Sequence, residues 1–130
     1  MIMDNIIWIT GAGTGIGRSI TNEFINNNHI IVGTARNKSS LEAVSKDLKD
    51  KSENFKIFSG DVSKYESVEL LTKNISESFN IDCLINNAGI TSFAKAEENS
   101  IKEIDEIIKT NLNGAIYTIK SVLPKMIENR

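Results

Sequence analysis

The chain has 130 residues, with 15 Lys or Arg and 17 Asp or Glu, and its formal net charge at pH 7 is −2. This length suits one domain with a real core, and 40% apolar and 25% charged residues are typical of a soluble globular protein. No apolar run approaches the length of a membrane span, and the charge gives no electrostatic reason to bind nucleic acid or an anionic membrane, so we expect neither partner.

The amino-terminal part joins an apolar run, a glycine cluster and a helical pattern. The run Ile6-Ile7-Trp8-Ile9 predicts a buried strand. Ile16, Ile20 and Phe24 recur every fourth residue, as on one face of a helix. Between them lies Thr10-Gly11-Ala12-Gly13-Thr14-Gly15-Ile16-Gly17. Because glycines let a pyrophosphate approach the positive N-terminus of a helix, this stretch predicts a nucleotide site.

Two familiar glycine patterns fail here. The fingerprint G-x-G-x-x-G needs a glycine where Ile16 or Arg18 stands. The phosphate loop G-x-x-x-x-G-K-[ST] comes close, but Ala12 replaces its first glycine and Arg18 its lysine. The pattern that fits is T-G-x-x-x-G-x-G. A flexible turn and a nucleoside-triphosphate phosphotransferase are the alternatives left open.

The rest of the chain alternates strands and helices. Apolar, β-branched runs predict strands at 29–35, 54–59 and 82–86. Capping boxes, each a Ser followed three residues later by Glu, predict helix starts at Ser39, Ser63 and Ser100. A last helical pattern begins at Asn111, and Pro124 should bend it or end it early. The order β-α-β-α-β-α-β-α-α predicts a doubly wound parallel sheet with helices on both faces.

Unusual residues follow each predicted strand. They are the glycine loop, Arg36, the pair Asp61-Val62, and Asn86-Asn87-Ala88-Gly89. Ligands of doubly wound sheets bind beyond the carboxyl ends of the strands, so one long ligand could span all four turns.

The residues at the end of the second strand indicate whether a site prefers NAD or NADP. An acid there binds the ribose 2′-hydroxyl of NAD, whereas an arginine accommodates the 2′-phosphate of NADP. Ala35 holds the acid's position and Arg36 follows it, which favours NADP over NAD. Asp61 suits the adenine amino group. The alternatives are a solvated surface arginine and an aspartate that only starts a helix.

Together these residues resemble the short-chain dehydrogenase/reductase family. The resemblance rests on Thr10 to Gly17, Asp61-Val62, Asn86 to Gly89 and Asn111-Leu112-Asn113-Gly114, in the family's order over nearly the whole chain. It implies a Rossmann fold for residues 1–130, with hydride transfer between NADP and a small carbonyl or alcohol substrate. The implied cofactor-binding residues are Gly11, Gly13, Thr14, Gly15, Ile16, Gly17, Arg36, Asp61, Val62, Asn87, Ala88 and Gly89. Asn111 corresponds to the family's catalytic asparagine, which interrupts a helix and supports a proton relay.

The sequence departs from the family in its acid/base group. Family members carry a serine and a Y-x-x-x-K pair beyond the helix with Asn111, and the tyrosine is the general acid/base. Here Tyr117 is followed four residues later by Ser121, and Tyr65 by Glu69. We therefore expect residues 1–130 to be the cofactor-binding portion of a longer reductase, incomplete at the C-terminus and inactive alone. The alternative is a non-catalytic dinucleotide-binding module.

Smaller features add little chemistry. His29 has no Cys, Asp or Glu at ligand spacing, so no metal site is expected. Trp8 and the lone Cys83 are expected in the core. A single cysteine, with no basic start in Met1-Ile2-Met3-Asp4, predicts a cytoplasmic protein.

The last predicted helix bears on assembly. In the family the last two helices often build a subunit interface, which implies a possible homo-oligomer. Ile116, Ile119 and Leu123 could serve there, and burial within the monomer explains them equally well.

Overall fold

A computed structural model of the protein describes residues 5–129, and its strands form one parallel sheet. The strands are β1 (Ile6–Thr10), β2 (Ile30–Ala35), β3 (Phe55–Ser59) and β4 (Cys83–Ile85). Their order is β3-β2-β1-β4, so the chain builds one side of the sheet and then crosses to the other. The predicted doubly wound parallel sheet is confirmed.

Five α-helices connect and follow these strands. They are α1 (Gly15–Asn26), α2 (Lys38–Asp47), α3 (Tyr65–Ser76), α4 (Ile101–Ile108) and α5 (Gly114–Glu128). A π-helical turn, Lys109–Asn113, joins α4 to α5, and 3-10 turns span Lys49–Asn54 and Ala96–Glu98. Within residues 5–129, every helix is too short or too polar to span a lipid bilayer.

Side chains of β1 alternate between two cores, as the pleat of a strand requires. On one face, Ile7 and Ile9 pack with α1 and α2. On the other face, Trp8 packs with α3 and α5, and its indole N–H donates to Thr34 Oγ1 at 3.0 Å. The helices therefore cover both faces of the sheet, and Trp8 is a core residue as expected.

Ile20 and Phe24 of α1 pack against the core as predicted, but the most buried positions of the helix lie one residue further along. Ile16 is 73% exposed, whereas Gly17, Thr21 and Ile25 are buried. A Cβ added at Gly17 would lie 2.1 Å from the Gly11 carbonyl oxygen. The periodicity of large apolar residues missed Gly17 because the closest contact of the helix is made by a residue with no side chain.

Only one of the three predicted capping boxes forms. Ser100 Oγ accepts from the Glu103 N–H at 3.2 Å, and the Glu103 carboxylate accepts from the Ser100 N–H at 2.7 Å. The helix α2 is instead capped by Asn37, whose Oδ1 accepts from the Ser39 N–H at 3.0 Å. The box predicted at Ser63 is also wrong, because α3 begins at Tyr65 without a side-chain cap.

The expectation about Cys83 is wrong, and of the two outcomes expected at Pro124 the early helix end is wrong while a bend stays a prediction. Cys83 is exposed, because within residues 5–129 β4 pairs only with β1 and forms an edge of the sheet. Pro124 does not end α5, which continues to Glu128. Proline removes one helical hydrogen bond, to the carbonyl of Lys120, and both residues are exposed, so water can reach that carbonyl.

An apolar stripe runs along α4, the π-helical turn and α5. Its members are exposed and spaced by three or four residues, as on one helix face. They are Ile101, Ile104, Ile108, Leu112, Ile116, Ile119, Leu123 and Ile127. Burial within residues 5–129 therefore does not explain Ile116, Ile119 or Leu123.

Candidate functional site

A trough opens at the carboxyl edge of the sheet and collects residues from all four strand ends. It is lined by Gly11, Thr14, Thr34, Ala35, Arg36, Asn37, Ser40, Gly60, Asp61, Val62, Ala88, Gly89, Ile90 and Thr110. The turns predicted to meet are thus brought together. Of the predicted cofactor residues, Gly11, Thr14, Arg36, Asp61, Val62, Ala88 and Gly89 line this trough.

The glycine loop is closely packed except where α1 begins. Gly11, at φ +68°, lies so close to the fourth turn that an added Cβ would be 2.9 Å from Ala88 Cα. A Cβ on Gly13 would be 2.1 Å from Ser40 Oγ. Gly15, at φ +51°, has open space where its Cβ would be. The first turn of α1 is therefore open to an approaching ligand, which fits an anion such as a pyrophosphate.

Thr10 and Asn87 tie the first and fourth turns together. Asn87 Nδ2 donates to the carbonyl oxygens of Thr10 and Gly11, both at 3.1 Å. In return, Thr10 Oγ1 accepts from the N–H groups of Asn87 at 3.1 Å and Ala88 at 3.0 Å. The amide of Asn87 is thus a positioning group, which leaves the backbone of Ala88 and Gly89 to face the trough.

The two arginines next to the first two turns differ in their partners. The Arg18 guanidinium is ion-paired with Asp47, at the end of α2. Arg36 lines the trough, and among residues 5–129 its guanidinium forms no ion pair. Its positive charge is therefore free to bind a phosphate. The phosphate-loop alternative needs a free cation at Arg18, and Asp47 neutralises that charge.

Asp61 shapes the turn after β3 and lies at the trough, and its contact with an adenine stays a prediction. Its Oδ1 accepts from the Ser63 N–H at 3.0 Å and from the Ser63 hydroxyl at 2.7 Å, which shapes the turn before α3. Asp61 and Val62 also line the trough. A Cβ on Gly114 would be 2.9 Å from Val62 Cγ2, so the start of α5 packs directly against this turn.

Asn111 holds the chain just beyond Gly89. Within the π-helical turn, its Oδ1 accepts from the Ile90 N–H and its Nδ2 donates to the Ile90 carbonyl, both at 2.8 Å. The side chain thus clamps one residue of backbone with two hydrogen bonds. It positions Ile90 at the wall of the trough, and its part in a proton relay stays a prediction.

The two tyrosines of residues 5–129 are not among the residues that line the trough. Tyr65 and Tyr117 pack edge to face with ring centroids 5.3 Å apart, in a cleft beside the trough. Burial, together with the neighbouring Glu69 carboxylate, raises the pKa of Tyr65. A tyrosine that accepts protons near neutral pH needs a lowered pKa, so this environment opposes that role.

Several residues that line the trough were not predicted from the sequence. They are Thr34, Asn37, Ser40, Gly60, Ile90 and Thr110. Each lies within four residues of a predicted site residue, and that proximity is the one sequence signal they carry. His29 has a structural place, since its ring packs on Phe24 and its Nδ1 accepts from the Asn5 N–H.

The sequence model of the short chain dehydrogenase family matches residues 5–130, and the chain therefore belongs to this family. An uncharacterized oxidoreductase of Staphylococcus aureus (strain MRSA252) is 35% identical over 129 residues, covering 98% of this chain and 55% of that protein. The NADP-dependent 3-hydroxy acid dehydrogenase YdfG of Escherichia coli (strain K12) is 34% identical over 125 residues, covering 95% of this chain and 49% of that protein.

A solved structure gives the same result for the fold. The closed form of serine dehydrogenase complexed with NADP+ matches with a TM-score of 0.85 and 33% identity, over 95% of this chain and 50% of that one. The Rossmann-type fold expected from the sequence is confirmed. The chain spans about half the length of the curated relatives it matches.

Proposed function

We propose that these residues are the cofactor-binding portion of an NADP-dependent oxidoreductase that moves hydride between nicotinamide and a carbonyl or alcohol substrate. The observation that carries the proposal is one trough that is lined both by Thr14, the residue that precedes α1, and by Arg36. An anion-binding helix start suits the pyrophosphate that NAD and NADP share, and a free cation at the end of β2 suits the 2′-phosphate that only NADP carries. The relatives named above as NADP-dependent or NADP-bound support the choice.

Each turn has a separate role in this proposal. The glycine loop from Gly11 to Gly17 holds the pyrophosphate by backbone N–H groups, and Arg36 pairs with the 2′-phosphate. Asp61 and Val62 border the adenine, and Asn87 to Gly89 lie beside the ribose and nicotinamide. When bound, the nicotinamide supplies or accepts the hydride. The protein's own residues bind and orient it.

Proton transfer falls to residues outside the portion described. Asn111 positions the backbone of Ile90 beside the trough. The serine and the Y-x-x-x-K pair of the family have no match in residues 1–130, so in this proposal the remainder of a longer protein supplies them. Residues 1–130 are then one Rossmann domain that is incomplete at its C-terminus.

Cofactor titration tests the choice of NADP. The nicotinamide fluorescence of NADPH and NADH is measured during titration of the unmodified protein and of Arg36→Ala. The variant Arg18→Ala is the matched control. Losing a charge-assisted contact should weaken NADPH binding about tenfold or more and leave NADH unchanged. Tighter binding of NADH by the parent, or equal effects of the two variants, would contradict the proposal.

Turnover tests the enzyme itself. The protein encoded by the complete reading frame is assayed for carbonyl-dependent oxidation of NADPH. A 3-oxo acid is the first substrate to try, because the Escherichia coli relative is named for 3-hydroxy acids. Tight NADPH binding with no turnover of any carbonyl would favour the non-catalytic binding module instead.

A cytoplasmic location stays a prediction.

The apolar stripe supports a homo-oligomer as part of the same proposal. Ile116 lies near its middle, where a charge would disrupt packing between two copies. Ile116→Glu should lower the mass measured by light scattering, and Leu70→Glu, an exposed apolar position on α3, is the control. An unchanged mass in Ile116→Glu would contradict assembly through this stripe.

A further inference from the structure

Two hydrogen bonds from the end of β3 hold the backbone at Arg36. The Ala35 carbonyl, at the end of β2, accepts from the Gly60 N–H at 3.1 Å. The next carbonyl along the chain, that of Arg36, accepts from the Ser59 hydroxyl, also at 3.1 Å. The first bond is made by the backbone, whereas the second is made by a side chain. The Ser59 hydroxyl therefore extends the contact between the two strands by one residue, to the carbonyl of Arg36.

The serine that makes this bond lies on a well-ordered part of the sheet. Ser59 is the last residue of β3 and lies opposite Ala35 in the parallel register. A Cβ added at Gly60 would lie 2.5 Å from Leu71 Cδ1, so the chain just beyond Ser59 packs closely against α3. The hydroxyl is thus presented by a segment that is fixed on both sides, and it can restrict the backbone to which it donates.

The residue after Arg36 is anchored in turn on the start of α2. The Asn37 carbonyl accepts from the Ser40 hydroxyl at 2.8 Å, and Asn37 Oδ1 accepts from the Ser39 N–H at 3.0 Å. The backbone of Arg36 is therefore held from β3 and from α2. A charged side chain whose backbone is already fixed has less conformational freedom to lose when it binds a phosphate.

We propose that Ser59 is a positioning residue for Arg36 and that it contributes in this way to a preference for NADPH over NADH. The inference rests on the proposed function, in which Arg36 pairs with the 2′-phosphate, and adds a residue of β3 to that recognition. Ser59 lies outside the lining of the trough, so it acts through the backbone of Arg36 and not by touching the cofactor. Loss of its hydroxyl should weaken binding of the cofactor that carries the 2′-phosphate and spare the cofactor that lacks it.

Fluorescence titration with NADPH and NADH tests this on the protein encoded by the complete reading frame. Ser59→Ala should weaken NADPH binding about fivefold, the effect of one hydrogen bond, and leave NADH binding within about twofold. Ser59→Thr keeps the hydroxyl and should bind both cofactors as the unmodified protein does. Ser78→Ala removes the hydroxyl of another exposed serine, just beyond α3, and is the matched control that should change neither affinity.

A double variant shows whether Ser59 acts through Arg36. In the Arg36→Ala background, Ser59→Ala should cause no further loss of NADPH affinity, because the guanidinium that it positions is already absent. A further loss there, or equal losses of NADPH and NADH affinity in Ser59→Ala alone, would overturn the inference. NADPH binding that is unchanged in Ser59→Ala and weakened in Arg36→Ala would overturn the inference and leave the proposed function standing. NADPH binding that is unchanged in Arg36→Ala would overturn both the inference and the choice of NADP.

Discussion

The region around β2 is more completely packed than the region around β4. The strand β2 pairs on both sides, and residues on the inner faces of α1 and α2, such as Ile25 and Leu41, are fully buried. Within residues 5–129, β4 pairs only with β1, and α5 beside it exposes Ile119 and Leu123. The first region can therefore hold the glycine loop by its own packing. The second presents a surface suited to further protein, either more of the same chain or a second copy.

The largest expected effect comes from the tightest contact of the first region. A methyl group at Gly17 would lie 2.1 Å from the Gly11 oxygen and 2.5 Å from Asn87 Nδ2, so the helix and the loop would have to separate. Gly17→Ala should lower the free energy of unfolding by about 3 kcal/mol and abolish NADPH binding. Urea unfolding followed by circular dichroism measures the first effect.

Gly15→Ala is the matched control for that substitution. Its methyl group meets nothing within 4 Å, so the cost is limited to the left-handed backbone at φ +51°, about 1 kcal/mol. A loss as large as that of Gly17→Ala would show that backbone conformation, and not packing against Gly11, decides the stability of this loop.

A pair of equal truncations compares the two regions directly. Ile25 on α1 is 0% exposed and Ile119 on α5 is 46% exposed. Ile25→Ala should lower the free energy of unfolding by about 2 to 5 kcal/mol, and Ile119→Ala by about 0.5 kcal/mol or less. Both are measured by urea unfolding. A large decrease in the free energy of unfolding of Ile119→Ala would show that the face of α5 is covered in solution. That result would favour assembly through this face.

The same contrast explains what the sequence could predict. Strand positions and the meeting of the four turns followed from local apolar periodicity and from the rule for parallel sheets. The exposure of Cys83 and Ile119 could not be predicted, because an apolar residue has the same sequence pattern in a core and at an interface. The glycine-based part of the site was visible in the sequence, whereas the hydrogen bonds of Thr10 with Asn87 join residues far apart in the chain.

The capping boxes show where a local rule was incomplete. Ser-x-x-Glu occurs at three predicted helix starts, and it forms a box only at Ser100. Two residues before Ser39 stands Asn37, and two before Ser63 stands Asp61; each takes the serine's N–H and hydroxyl with its Oδ1. Short acceptors at that spacing form such turns readily. The residue two before Ser100 is a glutamate, whose longer side chain lacks this geometry.

Asn111 gives a smaller effect at the boundary between the two regions. Asn111→Ala removes both hydrogen bonds to Ile90, which are exposed, so the free energy of unfolding should fall by only about 1 kcal/mol. The segment with Phe93 should open more often, and chymotrypsin should cleave after Phe93 faster. Asn113→Ala, in the same π-helical turn, is the control and should leave this cleavage unchanged.

The smallest effect is a pH dependence at the start of α4. Hydrogen bonds to the Glu103 carboxylate from the Ser100 N–H and hydroxyl, both 2.7 Å, hold its pKa below the ordinary value of 4.5. A carboxyl whose pKa is lower in the folded protein stabilises the fold above its unfolded pKa, and this contribution disappears as the pH falls through the lowered value. Thermal unfolding at several pH values should therefore show parent and Glu103→Gln converging as the pH is lowered from about 6 to about 3. Glu106→Gln removes the same charge from the same helix outside the capping box. If the melting temperatures of Glu106→Gln and the unmodified protein converged over the same pH range as much as those of Glu103→Gln and the unmodified protein, the capping box would not be the cause.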